Sequence, residues 1–233
     1  MEEIGLEGMI KLLSAEKGGT SEQYNQLMDY ISFHETGATQ RNDPKAKQIS
    51  GNEEDGFYDG PGRGLFQFEI GEKRGGNTAV NRTVKYFNDK NLALPKWLND
   101  LSLGSKDSKS VDVSSLNADQ QKMLFLGNHR QHPTSNFSKV WSGEQSIPNF
   151  WSQQHWSGTD DVEGHVDKFT KDMLANDSIK AADLRRQELF PLQDKVPFQS
   201  ASTDINNTPS VDSILSKIFG AQNSSLIEKY NKE

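Results

Sequence analysis

The sequence predicts an α+β domain, mainly α, over residues 1–190 with one small β-hairpin, followed by a linker and an amphipathic helix over 191–233. Three observations lead there. Apolar residues recur at helical spacing in several segments, of which Tyr24, Leu27, Met28 and Ile31 at i, i+3, i+4 and i+7 are the clearest. One short stretch alternates instead: Phe66, Phe68 and Ile70 interleave with Leu65, Gln67 and Glu69, the period of a strand with one buried face. From about Pro191 to Pro209 the composition turns to Ser, Thr, Asn, Asp and Pro, which marks a linker.

The elements follow in order. Ile4, Leu6, Met9, Ile10, Leu12 and Leu13 predict a leading helix stopped by Gly18 and Gly19. Thr20 with Gln23 makes a capping box for the next helix, which ends at Gly37. Residues 38–59 are polar, with a turn at 52–56 and Phe57 and Tyr58 as the strand partner of residues 65–70. Thr78 caps a helix that turns Val80, Val84 and Phe87 inward. Residues 99–115, rich in Ser, Asp, Lys and Gly, read as a long surface loop. Asn117 with Gln120 caps another helix through Met123, Leu124 and Phe125. Ile147, Phe150 and Trp151 are spaced for a buried helix face, and Thr159 to Asp161 open a helix with Val162, Val166, Phe169 and Met173 inside. Beyond the linker, Pro209 starts a helix whose stripe is Val211, Ile214, Leu215, Ile218 and Phe219.

Composition sets limits. The 233 residues are 33% hydrophobic with a mean hydropathy of -0.79, low for a compact enzyme and consistent with long loops or a partner-dependent segment. A net charge of -7 argues against a nucleic-acid partner, because counterion release needs a basic surface. No apolar run is long enough for a membrane span, and residues 1–5 lack the basic start and apolar core of a signal peptide. With no cysteine there are no disulfides and no thiolate metal sites. Residues 34–38 fail the zinc-protease pattern, since Ala38 stands where a second His would have to be, and His129 and His132 are followed directly by Pro133. No metal and no cofactor is expected.

Glu35 continues the apolar stripe of its helix, because eleven residues at about 100° each bring it back to within roughly 20° of Tyr24. At that place the low dielectric of the apolar face and the negative end of the helix dipole both raise a carboxyl pKa. A proton held there near neutral pH makes a general acid. About thirty residues later, Gly60, Gly62 and Gly64 allow the backbone a tight turn and a close approach to a ligand ahead of Gln67.

A helix ending in His34-Glu35-Thr36-Gly37, then a loop, then Gly62-Arg63-Gly64-Leu65-Phe66-Gln67, resembles the lysozyme-like superfamily over residues 20–175. Lytic transglycosylases and goose-type lysozymes carry Glu-Ser/Thr-Gly followed by Gly-Leu-Met-Gln. Family 19 chitinases and phage endolysins carry His-Glu-Ser/Thr-Gly followed by Gly-Arg-Gly-x-x-Gln, and this chain shares features of both.

The resemblance implies a lysozyme-like helical domain with its hairpin at a cleft, cutting the β-1,4 glycan strand of peptidoglycan. Glu35 is the implied acid. Hydrolysis through two carboxyl groups needs a second one in a different environment. The loop offers Glu53, Glu54, Asp55 and Asp59, of which Asp59 lies where goose-type lysozymes carry an aspartate. Lytic transglycosylases need no second carboxylate. Gln67 corresponds to the superfamily's substrate-contacting glutamine, or is an amide that satisfies its own turn. Glu69 stands on the strand where family 19 endolysins have Thr or Ser. Arg63 either binds a lactyl or peptide carboxylate or pairs with Asp59 or Glu69. Tyr58, Trp97 and Trp156 are candidates for stacking on sugar rings, with core packing the alternative for each. The expected setting is a bacteriophage particle, with residues 209–233 docking on another virion protein or on a second copy. A free cytoplasmic endolysin, or a glycan-binding structural virion protein that does not cut, are the alternatives.

Overall fold

Thr20 and Gln23 close a capping box in the computed structural model, which describes residues 3–52, 56–70, 76–107, 111–132, 135–155 and 161–189. Gln23 N–H donates to Thr20 Oγ1 at 3.2 Å and Thr20 N–H donates to Gln23 Oε1 at 2.9 Å, so two donors at the start of helix α2 (Ser21–Thr36) are satisfied reciprocally. Asn117 and Gln120 do the same for α5 (Ala118–Gln131), with both bonds at 3.0 Å. The remaining helices are α1 (Leu6–Lys17), α3 (Gly76–Asp89), α4 (Lys96–Asp107), α6 (Phe137–Trp141), α7 (Ile147–Gln154) and α8 (Val162–Leu189), with a 3-10 turn at Val113–Ser115. The chain divides into two units, Met1–Leu189 and Phe190–Glu233. The linker and terminal helix expected over 191–233 lie outside the described residues.

The stripes on α1 and α2 bury Met9, Ile10, Leu13, Tyr24, Leu27, Met28 and Ile31 completely. Helix α1 packs on α2 and α5, α3 on α4 and α5, and α8 on α2 and α7. Helices α3 and α5 approach closely at Gly127, where an added Cβ would come 2.8 Å from the Thr83 Cα. Thr83 is itself fully buried, and its hydroxyl donates to the Ala79 carbonyl at 2.7 Å. Overpacking of this kind costs about 1–3 kcal/mol, against about 1 kcal/mol gained when a helical Gly becomes Ala. Gly127→Ala is therefore expected to lower the urea midpoint, and a raised midpoint would show that the helices do not meet there.

The sheet is larger than the hairpin expected. Strands β1 (Lys47–Asn52), β2 (Gly56–Arg63) and β3 (Phe68–Glu69) are antiparallel in the order β1-β2-β3. Phe57 and Tyr58 do pair in a strand, but with Gly51 and Ser50 of β1; β3 meets the other end of β2, Gly62 opposite Glu69 and Arg63 opposite Phe68. Residues 64–67 form a turn, so the alternation read over 65–70 fails there: Leu65 and Phe66 are both buried and Ile70 is only partly so. Gly64 opens the turn at φ 73°, and an added Cβ there would lie 2.8 Å from the Gln121 Cδ, so both backbone conformation and space require glycine.

Three further expectations are corrected. Residues 99–107 are not loop but part of α4, whose buried Leu98 and partly buried Trp97 and Leu101 face the core. Helix α3 starts at Gly76, so Thr78 lies inside its first turn and not at its cap. Val162 is 43% exposed, whereas Phe169 is fully buried and Met173 packs against the core as expected.

Candidate active site

Helix α2 stops where Gly37 takes φ 67° and its N–H returns to the Phe33 carbonyl at 2.7 Å. That places Glu35 in the last turn, at the end of a fully buried stripe, with 17% of its side chain exposed. Its Oε1 accepts a hydrogen bond from Trp151 Nε1–H of α7 at 2.5 Å. His155, which caps the end of α7, brings its Nε2 to 3.7 Å from the same oxygen. Burial pushes the Glu35 carboxyl pKa above its ordinary value, and the Trp151 bond, His34 and Lys168 only partly oppose it.

The Trp151 ring is held from behind. His34, the residue before Glu35, meets it edge-on with centroids 4.4 Å apart, and Phe169 of α8 meets it edge-on at 5.4 Å. His34 stacks flat on Phe169 at 4.4 Å, and its Nδ1 bonds to Asp172 Oδ2 at 2.6 Å. Asp172 also takes Lys168 Nζ at 2.7 Å. Burial lowers the His34 pKa more than the Asp172 bond raises it. Helix α8 thus fixes the tryptophan that fixes the acid.

His155 joins this group to the glycine-rich turn. Its Nε2 lies 2.9 Å from the Phe66 carbonyl oxygen, and its Nδ1 lies 3.1 Å from Nε2 of His129, which is fully buried in α5. One residue beyond Phe66, Gln67 adopts φ 45°, and its Nε2 donates to the Gly64 carbonyl at 2.8 Å. The NH2 end of that amide satisfies its own turn; Oε1 is buried with no hydrogen-bond partner among the described residues.

The other candidates sit on the sheet. Asp59 makes an exposed ion pair with Lys47 Nζ at 2.6 Å, which holds its carboxyl below the ordinary value. Among the described residues no hydrogen bond or ion pair links Asp59 to Glu35. The Arg63 guanidinium donates to the carbonyls of Gly60 and Gly62, and so braces its own strand. Glu69 lies opposite Gly62 and is half-buried. Tyr58 is 64% exposed on β2, and Trp97 packs against the core. Trp156, Glu53, Glu54 and Asp55 lie outside the described residues. Among the described residues there is no group of three or more His, Asp or Glu able to hold a metal ion, and no helix long and apolar enough to cross a membrane.

Sequence reasoning placed Glu35 but missed its partners. Trp151 and His155 are four apart on one helix, a spacing that puts an indole N–H and an imidazole on one face. That was the available signal. Comparison of the chain with family models, curated proteins and solved structures gives no match.

The raised Glu35 pKa has a definite sign in stability. Protonation of Glu35 favours the fold fully below the ordinary value of 4.5, and the contribution is lost as pH rises through the higher folded value. Wild type should therefore lose melting temperature relative to Glu35→Gln as pH rises through that window. A difference that stays flat with pH would mean that Glu35 titrates as a solvated carboxyl.

Proposed function

We propose that this chain is a glycosidase cleaving the β-1,4 glycan strand of peptidoglycan, with Glu35 as general acid. The observation that carries the reading is a carboxyl with a raised pKa, held by an indole N–H and standing 3.7 Å from His155, which bonds to the turn that carries Gln67. A raised pKa favours the protonated form, which can deliver its proton to the leaving glycosidic oxygen while an oxocarbenium-like centre develops. The substrate class rests on the resemblance of residues 34–37 and 62–67 to the lysozyme-like superfamily. Asp59, ionised by its pairing with Lys47, is the candidate for the second carboxylate of a hydrolase; internal attack by a sugar hydroxyl would need none. Gln67 and Arg63 are proposed substrate contacts, with Glu69, Tyr58 and Trp156.

Digestion of purified sacculi followed by mass analysis of the muropeptides tests the reading. Reducing ends identify a hydrolase and 1,6-anhydro ends a lytic transglycosylase. No products at all would favour a glycan-binding virion protein that does not cut.

Delivery with a phage particle is part of the same proposal, supported by the apolar stripe of residues 211–219. Each large side chain of that stripe gains about 1.5–3 kcal/mol on burial. Docking on another virion protein or a second copy predicts that Ile214→Asp with Ile218→Asp removes the chain from particles while melting temperature and activity on purified wall stay unchanged. A fall in the melting temperature of the isolated protein would instead mean that the helix docks on its own domain. Particles that carry the variant in full amount would exclude this attachment, and a chain found only in the lysate would be a free endolysin.

A further inference from the structure

A partly buried histidine, His155, lies beside the acid with the fully buried His129 behind it, and neither has a part in the reading above. Their protons can be placed from the geometry. The Phe66 carbonyl only accepts, so His155 Nε2, at 2.9 Å from it, carries a hydrogen. Burial takes the His155 pKa down to about 4, which makes the ring neutral near pH 7 and leaves Nδ1 as a bare acceptor. The group facing that acceptor at 3.1 Å is His129 Nε2, which must therefore be the donor. His129 is fully buried, and its own Nδ1 has no hydrogen-bond partner among the described residues, as suits an unprotonated nitrogen. Both rings are then neutral Nε2–H tautomers, donating in series from α5 to the Phe66 carbonyl, with Glu35 Oε1 3.7 Å from the last nitrogen.

We propose that His155 and His129 are positioning residues, a neutral imidazole pair that keeps the His155 Nε2–H on the Phe66 carbonyl and within reach of Glu35 Oε1, to which it turns when the acid ionises. This rests on Glu35 being the general acid. The Oε1 atom already accepts from Trp151 at 2.5 Å and faces the His155 donor at 3.7 Å. With Oε1 accepting from Trp151, the acid carries its proton on Oε2, the oxygen left for a leaving group. Once that proton is given up, the Trp151 N–H holds the carboxylate and the negative charge draws the His155 Nε2–H to it as well. The His155 hydrogen then has two acceptors to choose between, Glu35 and the Phe66 carbonyl, so the ionisation of the acid is coupled to the turn that carries Gln67.

Among the described residues, the charges around the pair come from few places. Helix α2 supplies Glu35 and His34, with Lys168 and Asp172 of α8 behind His34. On the His129 side are Arg82 of α3 and His132 at the end of α5, both of which oppose a positive charge on the imidazole. Helix α7 adds only the neutral Trp151. Nothing in this set favours an imidazolium at His129.

Nitrogen-15 NMR of the histidine rings in the full chain tests the proton placement without any substitution. Both His155 and His129 are expected as neutral Nε2–H tautomers between pH 5.5 and 8 (roughly, the range over which an ordinary imidazole would titrate). An imidazolium, or an Nδ1–H tautomer at His155, overturns the proposal. The second arm reads the Glu35 carboxyl pKa by carbon-13 NMR in two variants. His155→Phe keeps a ring but removes the donor, and should raise the Glu35 pKa by about one unit. His155→Gln keeps an N–H donor but loses the ring, and should return the pKa to the wild-type value. If the ring merely packs, the order reverses: Phe leaves the pKa unmoved and Gln disturbs it, which also overturns the proposal. The alkaline limb of the kcat/KM profile should follow the Glu35 pKa in each variant. The NMR readings need no substrate, so they stand apart from the product analysis that tests the glycosidase reading.

Discussion

Replacing Glu35 with glutamine is expected to reduce peptidoglycan cleavage by more than about 100-fold, the low end of what a positioned general acid contributes. The substitution removes a proton donor and keeps the size of the side chain. Its amide oxygen can still accept from Trp151 Nε1–H, so the bond that ties α2 to α7 survives. With no charge to bury at any pH, the variant should melt no lower than wild type near neutrality. Loss of activity in a normally folded variant is thus chemical and not structural. Retention of activity in a variant with a native near-UV spectrum would end the assignment of Glu35 as the acid, whatever the products of the wild type.

What could be seen in the sequence was local. Both capping boxes place their reciprocal groups three residues apart, and both form as read. The α2 stripe is local too, which is why Glu35 could be placed at its end before any contact was known. The sheet is the opposite case. Strand β1 reads Lys-Gln-Ile-Ser-Gly-Asn, with no alternation to announce it, and Ile49 is 65% exposed. It is held by a backbone ladder to β2, and backbone groups leave no mark in a sequence. Of Gly60, Gly62 and Gly64, expected to make a tight turn, only Gly64 does; the first two lie in the extended β2, where the Pro61 carbonyl accepts from Ile70 N–H at 2.9 Å. Helix α4 escaped because its polar face dominates residues 99–107.

The site divides in the same way. Glu35 and Gln67 belong to short motifs and could be named from them. Trp151, His155, His129 and Asp172 become neighbours of Glu35, or of one another, only when α5, α7 and α8 close on α2, across sequence separations that no periodicity encodes. Tyr30 illustrates how that closure is held: its hydroxyl donates to the Asp177 carboxylate of α8 at 2.8 Å, on the same pair of helices as the His34–Asp172 bond.

Gln121 carries the prediction with the largest structural consequence. It is fully buried at the start of α5, and one amide serves four backbone groups from four places. Its Oε1 accepts from Leu65 N–H at 2.7 Å, and its Nε2 lies 2.7 Å from the Pro44 carbonyl, 3.2 Å from that of Val113 and 3.1 Å from that of Leu116. Gln121→Leu fills similar volume but leaves a buried N–H and up to three carbonyls without this partner. At about 1–3 kcal/mol for each buried group left unsatisfied, a total loss of roughly 3 kcal/mol or more is expected. For a domain of this size that lowers the melting temperature by roughly 6–12 °C. The effect should reach the chemistry as well, because Leu65 N–H anchors the turn that holds the Phe66 carbonyl against His155. A displacement of about 1 Å in such a group can cost on the order of 100-fold in rate, so kcat should fall below that of wild type even well below the variant's melting temperature. If Gln121→Leu melts within two degrees or so of wild type, a shift worth less than about 1 kcal/mol, the amide does not bear these bonds. The turn would then have to be held in place by the packing of Leu65 and Phe66 alone.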